Sequence, residues 1–386
     1  MNTRNLLYFI LMAVCVSACQ GGKGYVPNLP DNVSTESMRT IDVEITNSVY
    51  DHLDEWLEAD RYVRLPAEPL IAEIRDIHVE DDKIFVHDKM HRLLCYDMDG
   101  EFLWKIDALG PGPGEYAGIS HFAVNPDEKE VLLYDNLGQK LLYYGMRNGK
   151  FIRAERLAKP NPTDMAYKDG TYFYDNRYHG NYPDEEDFHY SLLTSHDGIH
   201  IVQRFFEHAE KETAINLTTP KKFYYSDSLL LYCRDFDNKV FQIGKDGIKA
   251  RYQFNLPDPL PNAYMESGEL AAESLEEEYS SWLCNIYECG RLLYFCYSYG
   301  DAFMVSLYDL REDELIYSGR RMEGQTDSRL PLYLQINGVY DGQFFGVLTP
   351  EFIDWVGVKG KHYPDCLKGF KPEDDNPVIV FYRIKA

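Results

Sequence analysis

The sequence has few basic residues for its size. Its 386 residues include 39 Lys+Arg against 63 Asp+Glu, so the formal net charge is −24 at pH 7. Proteins that bind nucleic acid neutralise phosphates with clustered lysine and arginine, and no such cluster occurs here. We therefore expect no nucleic-acid partner. The acidity predicts a solvated, self-repelling surface in preference to a cation-binding role.

The common motifs of catalytic and metal sites are also missing. The chain contains no CxxC pair, no HExxH, no GxSxG and no Gly-Lys-Ser/Thr after a glycine-rich loop. Such motifs carry zinc ligands, a metalloprotease pair, a serine nucleophile and a phosphate cradle. We expect no metal site and no cofactor, and the sequence identifies no catalytic residue. Whether the protein is an enzyme stays open, with a non-catalytic role preferred.

Long hydrophobic runs are absent, apart from a short one at the N-terminus. It extends from Leu6 to Val16, after Arg4, which is too short for a good membrane span. A charged start, a short apolar stretch and the small residues Ser17 and Ala18 are typical of an export signal.

This signal ends in Val16-Ser17-Ala18-Cys19, which resembles the bacterial lipobox. The resemblance implies that Cys19 is diacylated and becomes the first residue of the mature protein. The following Gln20 gives no sign of inner-membrane retention, so it implies an outer-membrane lipoprotein, on the periplasmic face or the cell surface. The alternative is an ordinary signal peptide that contains a cysteine.

Composition divides the chain into three parts. Residues 1–18 are the predicted lipoprotein signal peptide, and residues 19–39, which are polar and rich in glycine and proline, read as a flexible tether. Residues 40–386 form the predicted folded domain.

Cysteine is too scarce to define a disulfide framework. Two of the eight cysteines, Cys15 and Cys19, belong to the export signal. Several of the others sit in apolar strand runs, where free cysteine behaves as a small buried hydrophobe. We predict core positions for all six; the alternative for Cys284 and Cys289 is a disulfide in an oxidising compartment. The six are Cys95, Cys233, Cys284, Cys289, Cys296 and Cys366.

A repeat organises the rest of the chain. Asp-Gly or Asn-Gly turns place glycines at 100, 149, 198 and 247, each 49 residues after the last. In the first unit, strands are predicted over Ile84–Val86, Leu93–Tyr96 and Phe102–Ile106, because Asp-Gly between apolar runs is a strong hairpin signal. Six such units can be counted. The period favours an all-β, six-bladed β-propeller over a sandwich or an open solenoid.

Two features depart from the simple repeat. The last unit offers only three strands, and we expect a strand from residues 40–64 to complete it, because an open sheet edge is a liability. Between the fourth and fifth units, Leu270, Leu275, Tyr279 and Trp282 recur at helical spacing. This predicts a short inserted helix over 266–283.

The lipobox, the repeated unit and the loop GPGPGEY together resemble the six-bladed β-propeller lipoproteins of Bacteroidetes, relatives of the NHL and TolB-like propellers. The resemblance covers roughly residues 40–386. It implies fold and location but carries no catalytic motif to these residues.

The GPGPGEY loop has its own structural interpretation. Two prolines remove backbone N–H donors that a phosphate cradle would need. We therefore predict a stiff connection between blades, with Glu115 accepting hydrogen bonds. The loop residues are Gly110, Gly112, Gly114, Glu115 and Tyr116.

Acidic residues recur elsewhere in the repeat. Asp88, Asp135 and Asp175 end the second strand of three units, and recurrence of this kind is typical of a turn-former that bonds its own downstream backbone. The insertion after Asp175 is acidic but lacks a calcium-loop pattern, which favours a solvated loop. Its Arg177, Tyr178 and His179 are our candidate ligand-binding residues.

Three functional hypotheses follow. The preferred one is a lipid-anchored, non-catalytic propeller that binds a glycan, a peptide or a protein partner at the outer membrane. The second is a propeller lyase or hydrolase acting on glycans or peptides, with metal or carboxylates at the channel mouth. The third is a docking scaffold of an envelope complex. Convergent His, Asp and Glu side chains would favour the enzyme, and Tyr, Asn and Arg without them would favour binding.

Overall fold

The computed structural model describes residues 29–30, 33–46, 55–157, 162–176, 186–208, 221–261, 279–320, 335–359, 367, 369–371 and 373–385. Within these residues the strands form six sheets. The first strands of successive blades contact one another around a central channel. The protein is a six-bladed β-propeller, as the repeat predicted.

Two strands precede the first blade in the chain, and the remaining strands follow in groups. The first two are β1 (Arg39–Asp42) and β2 (Leu57–Arg64). Blade 1 consists of β3 (Ile74–Glu80), β4 (Lys83–Asp88), β5 (Leu93–Asp97) and β6 (Phe102–Ile106). Blade 2 consists of β7 (His121–Asn125), β8 (Glu130–Asp135), β9 (Lys140–Gly145) and β10 (Phe151–Arg156). Blade 3 consists of β11 (Pro162–Lys168), β12 (Thr171–Asn176), β13 (Tyr190–Ser195) and β14 (Ile201–Glu207).

Blades 4 and 5 repeat the four-strand order, and blade 6 ends the chain. Blade 4 consists of β15 (Phe223–Ser226), β16 (Leu229–Cys233), β17 (Lys239–Gly244) and β18 (Gly247–Asn255). Blade 5 consists of β19 (Ser280–Cys289), β20 (Leu292–Tyr299), β21 (Ala302–Asp309) and β22 (Glu314–Arg320). Blade 6 contains β23 (Ile336–Tyr340), β24 (Gln343–Leu348) and β25 (Val378–Ile384).

The N-terminal strands attach to the end of the ring. β2 pairs antiparallel with β25 and becomes the fourth strand of blade 6, so the predicted closure is confirmed. β1 adds to blade 4 as a fifth strand, parallel to β18. Between them, Thr46 donates its backbone N–H to the Ser318 carbonyl of blade 5 at 2.7 Å. The segment before the first blade thus touches blades 4, 5 and 6.

The turn glycines adopt the backbone conformation that their spacing predicted. Gly100, Gly149, Gly198 and Gly247 have φ of 90°, 62°, 86° and 101°. Only glycine adopts such values without strain, because it has no Cβ. At Gly100 a Cβ would also lie 2.6 Å from the carbonyl oxygen of Arg64, on β2.

Replacing Gly100 with alanine should therefore cost more than the same change at Gly247. The added Cβ at Gly247 meets no atom within 4 Å, so strain alone should lower the free energy of unfolding by about 1 kcal/mol. At Gly100 the collision with the closing strand should raise this loss to about 2–3 kcal/mol. Urea unfolding of the two variants measures the difference, and equal losses would contradict it.

The helices differ from the prediction. Residues 262–278, most of the predicted insert, lie outside the described part of the chain. Its last residues, Ser280 to Leu283, begin β19 instead. Helical prediction was wrong here because the serine and aromatic residues continue into the pairing with β20. A helix that the sequence did not predict, α1 (Pro350–Lys359), lies between β24 and β25. No helix in the described ranges is both long and apolar enough to span a membrane.

The described cysteines are core residues. Cys95, Cys233, Cys284, Cys289 and Cys296 are all buried free thiols. Burial raises the pKa of the Cys289 thiol to about 12, which makes it inert. The alternative disulfide between Cys284 and Cys289 is not formed, because the two lie on one strand, opposite Cys296 and Leu292. Cys366 lies outside the described residues.

The antiparallel order gives the ring two distinct faces. The first-to-second and third-to-fourth strand turns lie on one side, which we call the turn face. The second-to-third strand loops and the connections between blades lie on the other, which we call the loop face. β1 runs parallel to β18, and β18 starts from a turn. The N-terminal segment therefore joins the ring on the turn face.

Candidate functional site

The central channel is crossed by an ion pair between opposite blades. Lys221, just before β15 of blade 4, places its Nζ 2.8 Å from Oδ1 of Asp76 on β3 of blade 1. Blades 1 and 4 lie across the ring from each other. The side chain of Lys221 is 26% exposed and that of Asp76 is 33% exposed. The negative charge of Asp76 raises the pKa of Lys221, although burial alone would lower it.

Nearer the turn face, a contact between two aromatic side chains narrows the channel further. His78 lies two residues along β3 from Asp76, and its ring centroid is 4.4 Å from that of Tyr225 on β15. The Tyr225 hydroxyl is fixed in turn by Tyr167, because it accepts from the backbone N–H at 2.9 Å and donates to the carbonyl at 3.1 Å. These two contacts therefore separate a compartment near the loop face from one near the turn face.

The compartment nearer the loop face holds a group of titratable side chains that we call the upper tier: Asp76, His121, Asp164 and Lys221. Nδ1 of His121 lies 3.8 Å from Oδ1 of Asp164. Asp164 Oδ2 accepts hydrogen bonds from the backbone N–H groups of Lys222 and Phe223 at 2.7 and 3.2 Å. Polar groups from blades 1 to 4 thus meet at this end of the channel.

Burial shifts the pKa of two upper-tier groups in opposite directions. The Asp164 pKa is raised to about 6, despite the two backbone hydrogen bonds that favour its charged form. The His121 pKa is lowered to about 4, as is that of the buried His87 on β4. Near neutral pH the histidines are therefore uncharged, and Asp164 gains a proton close to pH 6.

This arrangement predicts how stability depends on pH. Each histidine binds a proton more readily when unfolded, so its contribution is present above about pH 6.5 and is lost as the pH falls toward about 4. The contribution of Asp164 to stability increases as the pH falls, because its folded pKa is raised. Changing His121 to asparagine should flatten the slope of unfolding free energy against pH by about 1 kcal/mol per unit near pH 5. Asp164→Asn should steepen it. Urea titrations at several pH values measure both, and unchanged slopes would contradict the assignment.

The compartment at the turn face is a cavity of about 330 Å³, which we call the lower cavity. The His78–Tyr225 contact forms its inner end. Tyrosine, histidine and acidic residues line it. The lining comprises His78, Val79, Glu80, Val124, Pro126, Asp127, Tyr167, Lys168, Asp169, Tyr225, Asp227, Val339, Tyr340 and Asp341.

The polar groups of the lower cavity are already oriented by neighbours. The Tyr167 hydroxyl donates to Asp127 Oδ2 at 2.6 Å, and the Tyr340 hydroxyl donates to Asp82 Oδ1 at 2.6 Å. Burial and the bond to Asp82 raise the pKa of Tyr340 to about 12. With their hydroxyls held in this way, the tyrosines offer the cavity rigid ring surfaces.

Many carboxylates around the cavity also have a structural role. Asp169, Asp227 and Asp341 each adopt a positive φ in the first turn of their blade, where aspartate is tolerated better than most residues. Asp227 additionally accepts the Gly342 N–H at 3.0 Å, which links blades 4 and 6. No group of His, Cys, Asp and Glu in the described ranges is arranged to hold a metal ion.

The predicted ligand-binding residues cannot be compared with this channel. Arg177, Tyr178 and His179 lie outside the described residues. The channel residues were missed because each blade contributes only one or two of them. A signal was present in the alternating polar positions of β3, where Asp76, His78 and Glu80 share one side of the strand.

The GPGPGEY loop lies between blades 1 and 2, on the loop face. Glu115 Oε2 accepts the Gly112 N–H at 2.8 Å, and the Tyr116 hydroxyl donates to the His91 carbonyl at 2.7 Å. Tyr144 of blade 2 donates to the Gly114 carbonyl at 2.7 Å. The loop thus ties two blades together through its backbone.

The recurring strand-end aspartates divide into two groups. Asp88 accepts the Met90 and Arg92 N–H groups, and Asp135 accepts that of Gly138, so the turn-forming prediction is confirmed for both. Asp175 accepts from the Tyr232 hydroxyl at 2.8 Å and from Thr163; the backbone that follows Asn176 lies outside the described residues, so for Asp175 the turn-forming role stays a prediction.

The fold and the channel define a class: a six-bladed propeller with a cavity on its turn face. The chain belongs to the family described as a domain of unknown function (DUF4934), which matches residues 38–383. No curated protein matches the chain.

Two solved structures show the same fold. A Bacteroides fragilis protein described as exported is 21% identical, with a TM-score of 0.73 over 90% of this chain and 99% of that one. A member of the DUF4221 family from Bacteroides vulgatus is 12% identical, with a TM-score of 0.55 over 85% of this chain and 98% of that one.

Proposed function

We propose that the protein is a lipid-anchored, non-catalytic propeller at the outer membrane that binds a glycan or peptide in the lower cavity. The N-terminal signal supports export, as does the description of the B. fragilis protein as exported. Cys19 at the end of the signal supports lipidation. Neither the anchor nor the ligand needs a cofactor.

The observation that carries the binding role is the shape of the lower cavity. The contact between His78 and Tyr225 of opposite blades lies at its inner end, and the other lining residues belong to strand ends and turns of the turn face. A volume of about 330 Å³ falls in the range of small-molecule pockets, about 300–1,000 Å³. A pre-formed pocket of this size suits one sugar residue or one peptide side chain.

The chemistry of the walls suits either ligand. Ring surfaces of Tyr167, Tyr225 and Tyr340 can pack against the apolar face of a sugar or of a side chain. Glu80 can accept hydrogen bonds from hydroxyl or ammonium groups. Burial alone would raise the pKa of Glu80, but the His78 imidazole 3.7 Å away and the positive charge of Lys168 outweigh burial, and the pKa is lowered.

Thermal unfolding of the chain from Gln20 onward tests the proposal, since this chain retains every element that the structure describes. Glycan and peptide panels are screened with and without EDTA. A ligand that binds only the folded state must raise the midpoint, by about 2.7 kcal/mol of stability at a hundredfold excess over Kd. We expect a shift with a glycan or peptide that EDTA does not alter.

A pair of tyrosine variants locates the binding. Tyr340→Ala removes a wall of the lower cavity and should abolish the shift. Tyr190→Ala removes a half-buried tyrosine at the start of β13 in blade 3, away from the cavity, and should keep it. Loss of the shift in both variants, or in neither, would contradict the lower cavity as the site. No shift with any ligand would favour the docking scaffold.

The upper tier supports a second candidate, a lyase or hydrolase acting on glycans or peptides. Asp164, with a pKa raised to about 6, lies beside the uncharged imidazole of His121. Such a pair can act as a general acid and base. Turnover of a glycan or peptide that is lost in both Asp164→Asn and His121→Asn, or a metal-dependent shift in the midpoint, would replace the binding proposal with this one.

A further inference from the structure

A second cleft opens on the turn face, between blades 4 and 5. Its volume is about 470 Å³. The N-terminal segment, β18 and two turns of blade 5 form its walls. The lining residues are Ser37, Arg39, Arg251, Tyr252, Glu288, Gly290, Arg291, Leu310 and Arg311.

The lining of this cleft is rich in arginine, in contrast to the acidic composition of the whole chain. Its lining holds four arginines and one carboxylate, whereas the whole chain carries 63 acidic and 39 basic residues. The one lining carboxylate, Glu288, is used to fix Arg251, whose Nε and Nη2 donate to it at 2.6 Å each. Arg251 is thereby held rigidly as a wall of the cleft.

The other three guanidinium groups retain capacity for an anion. Arg39 donates to the Leu310 carbonyl and Arg291 to the Lys385 carbonyl, the latter at 3.2 Å, and each guanidinium group has further N–H groups. Their nearest carboxylates, Asp313 and Asp309, lie 3.6 Å away, which is beyond hydrogen-bond distance. Within the described residues, the buried Nε of Arg291 donates no hydrogen bond. Arg311 pairs with Glu312 at 2.8 Å, with both side chains more than half exposed. Exposed pairs stabilise little, so exchange of that carboxylate for another anion costs little.

The position of the cleft indicates which anion it meets. Ser37 and Arg39 belong to the segment that follows the predicted tether, and this segment joins the ring on the turn face. If Cys19 carries lipid, as proposed above, the tether brings this rim of the ring toward the bilayer surface. Arginine forks match phosphate oxygens in geometry as well as in charge.

We propose that the arginine cleft binds the phosphate of a membrane lipid headgroup and so orients the anchored propeller. The acidic turns around the lower cavity lie on the same face and are repelled by lipid phosphates. The edge of the ring formed by blades 4 and 5 therefore approaches the membrane surface, and the lower cavity stays open toward solvent.

Vesicle binding tests this with the unlipidated chain from Gln20 onward, so the result does not depend on acylation or on the lower cavity. Phosphatidylcholine vesicles are compared with vesicles that also contain phosphatidylglycerol, at low and moderate salt. We expect retention on the anionic vesicles that weakens with salt. Each arginine near an anionic surface contributes about fivefold in affinity, so Arg39→Gln with Arg311→Gln should weaken binding about 25-fold.

The matched control is Arg383→Gln. Arg383 is an exposed arginine paired with Glu58 on the closing strand of blade 6, outside the cleft. It should leave vesicle binding within about twofold of the parent. Equal losses in the control and the cleft variants, or equal binding to both vesicle types, would overturn the proposal. A thermal shift with inorganic phosphate that the cleft variants lose, without vesicle binding, would overturn the lipid source and assign the cleft to a soluble phosphate.

Discussion

Replacing Phe381 with alanine is expected to lower the free energy of unfolding by about 3–5 kcal/mol. Phe381 lies on β25, the strand between β24 and the N-terminal β2, and its side chain is fully buried. Its ring centroid is 5.8 Å from that of Phe345, and Arg61 of β2 lies over it at 4.3 Å. The truncation leaves a void where the two ends of the chain meet. Chemical denaturation followed by far-UV circular dichroism measures the loss.

The matched control for this prediction is Phe303→Ala on β21 of blade 5. Phe303 is 37% exposed, so its truncation should cost less than about 1 kcal/mol. Similar losses at the two positions would show that β25 does not carry the closure of the ring.

Lys222→Met is expected to cost about 3–5 kcal/mol as well, for an electrostatic reason. The Lys222 side chain is 2% exposed, and its Nζ bonds Asp235. Its positive charge also lowers the pKa of the buried Asp175, which burial raises. Without Lys222, buried carboxylates lack their neutralising cation.

The pH dependence of this loss identifies its cause. Burial already raises the folded pKa of Asp175, and removal of Lys222 should raise it further above the unfolded value. Protonation then favours the folded state, so the loss should shrink as the pH falls toward about 4. Lys105→Met, which removes an exposed lysine paired with Asp107, should change stability by less than about 0.5 kcal/mol. A loss in Lys222→Met that stays constant with pH would point to packing instead of charge.

The sequence predicted the fold because the fold is made of local signals. An Asp-Gly turn between apolar runs can be recognised from a short stretch of sequence. The predicted strand over Phe102–Ile106, which follows such a turn, agrees with β6. That an N-terminal strand completes the last blade could be predicted because an open sheet edge is unfavourable. Helices were harder, because α1 is a single short element within a long insertion.

The channel could not be predicted in the same way. Asp76 and Lys221 are separated by 145 positions, and they meet only because a six-fold ring places blades 1 and 4 opposite each other. Alternation along a strand shows which residues share a side, but not which strand lies across the channel. Raised and lowered pKa values at Asp164 and His121 depend on that same long-range burial.

The N-terminal segment also sets the order in which the protein can fold. Residues near Asp42 pair with partners 213 positions later, and Glu58 bonds a partner 325 positions later. Hairpins within each blade close short loops, whereas these pairings close nearly the whole chain, and contacts between distant positions form slowly. Ring closure by β2 is therefore the last step and the slow one. Until it occurs, β25 has a free edge, so the nearly complete propeller is the species most prone to pair with another copy of itself.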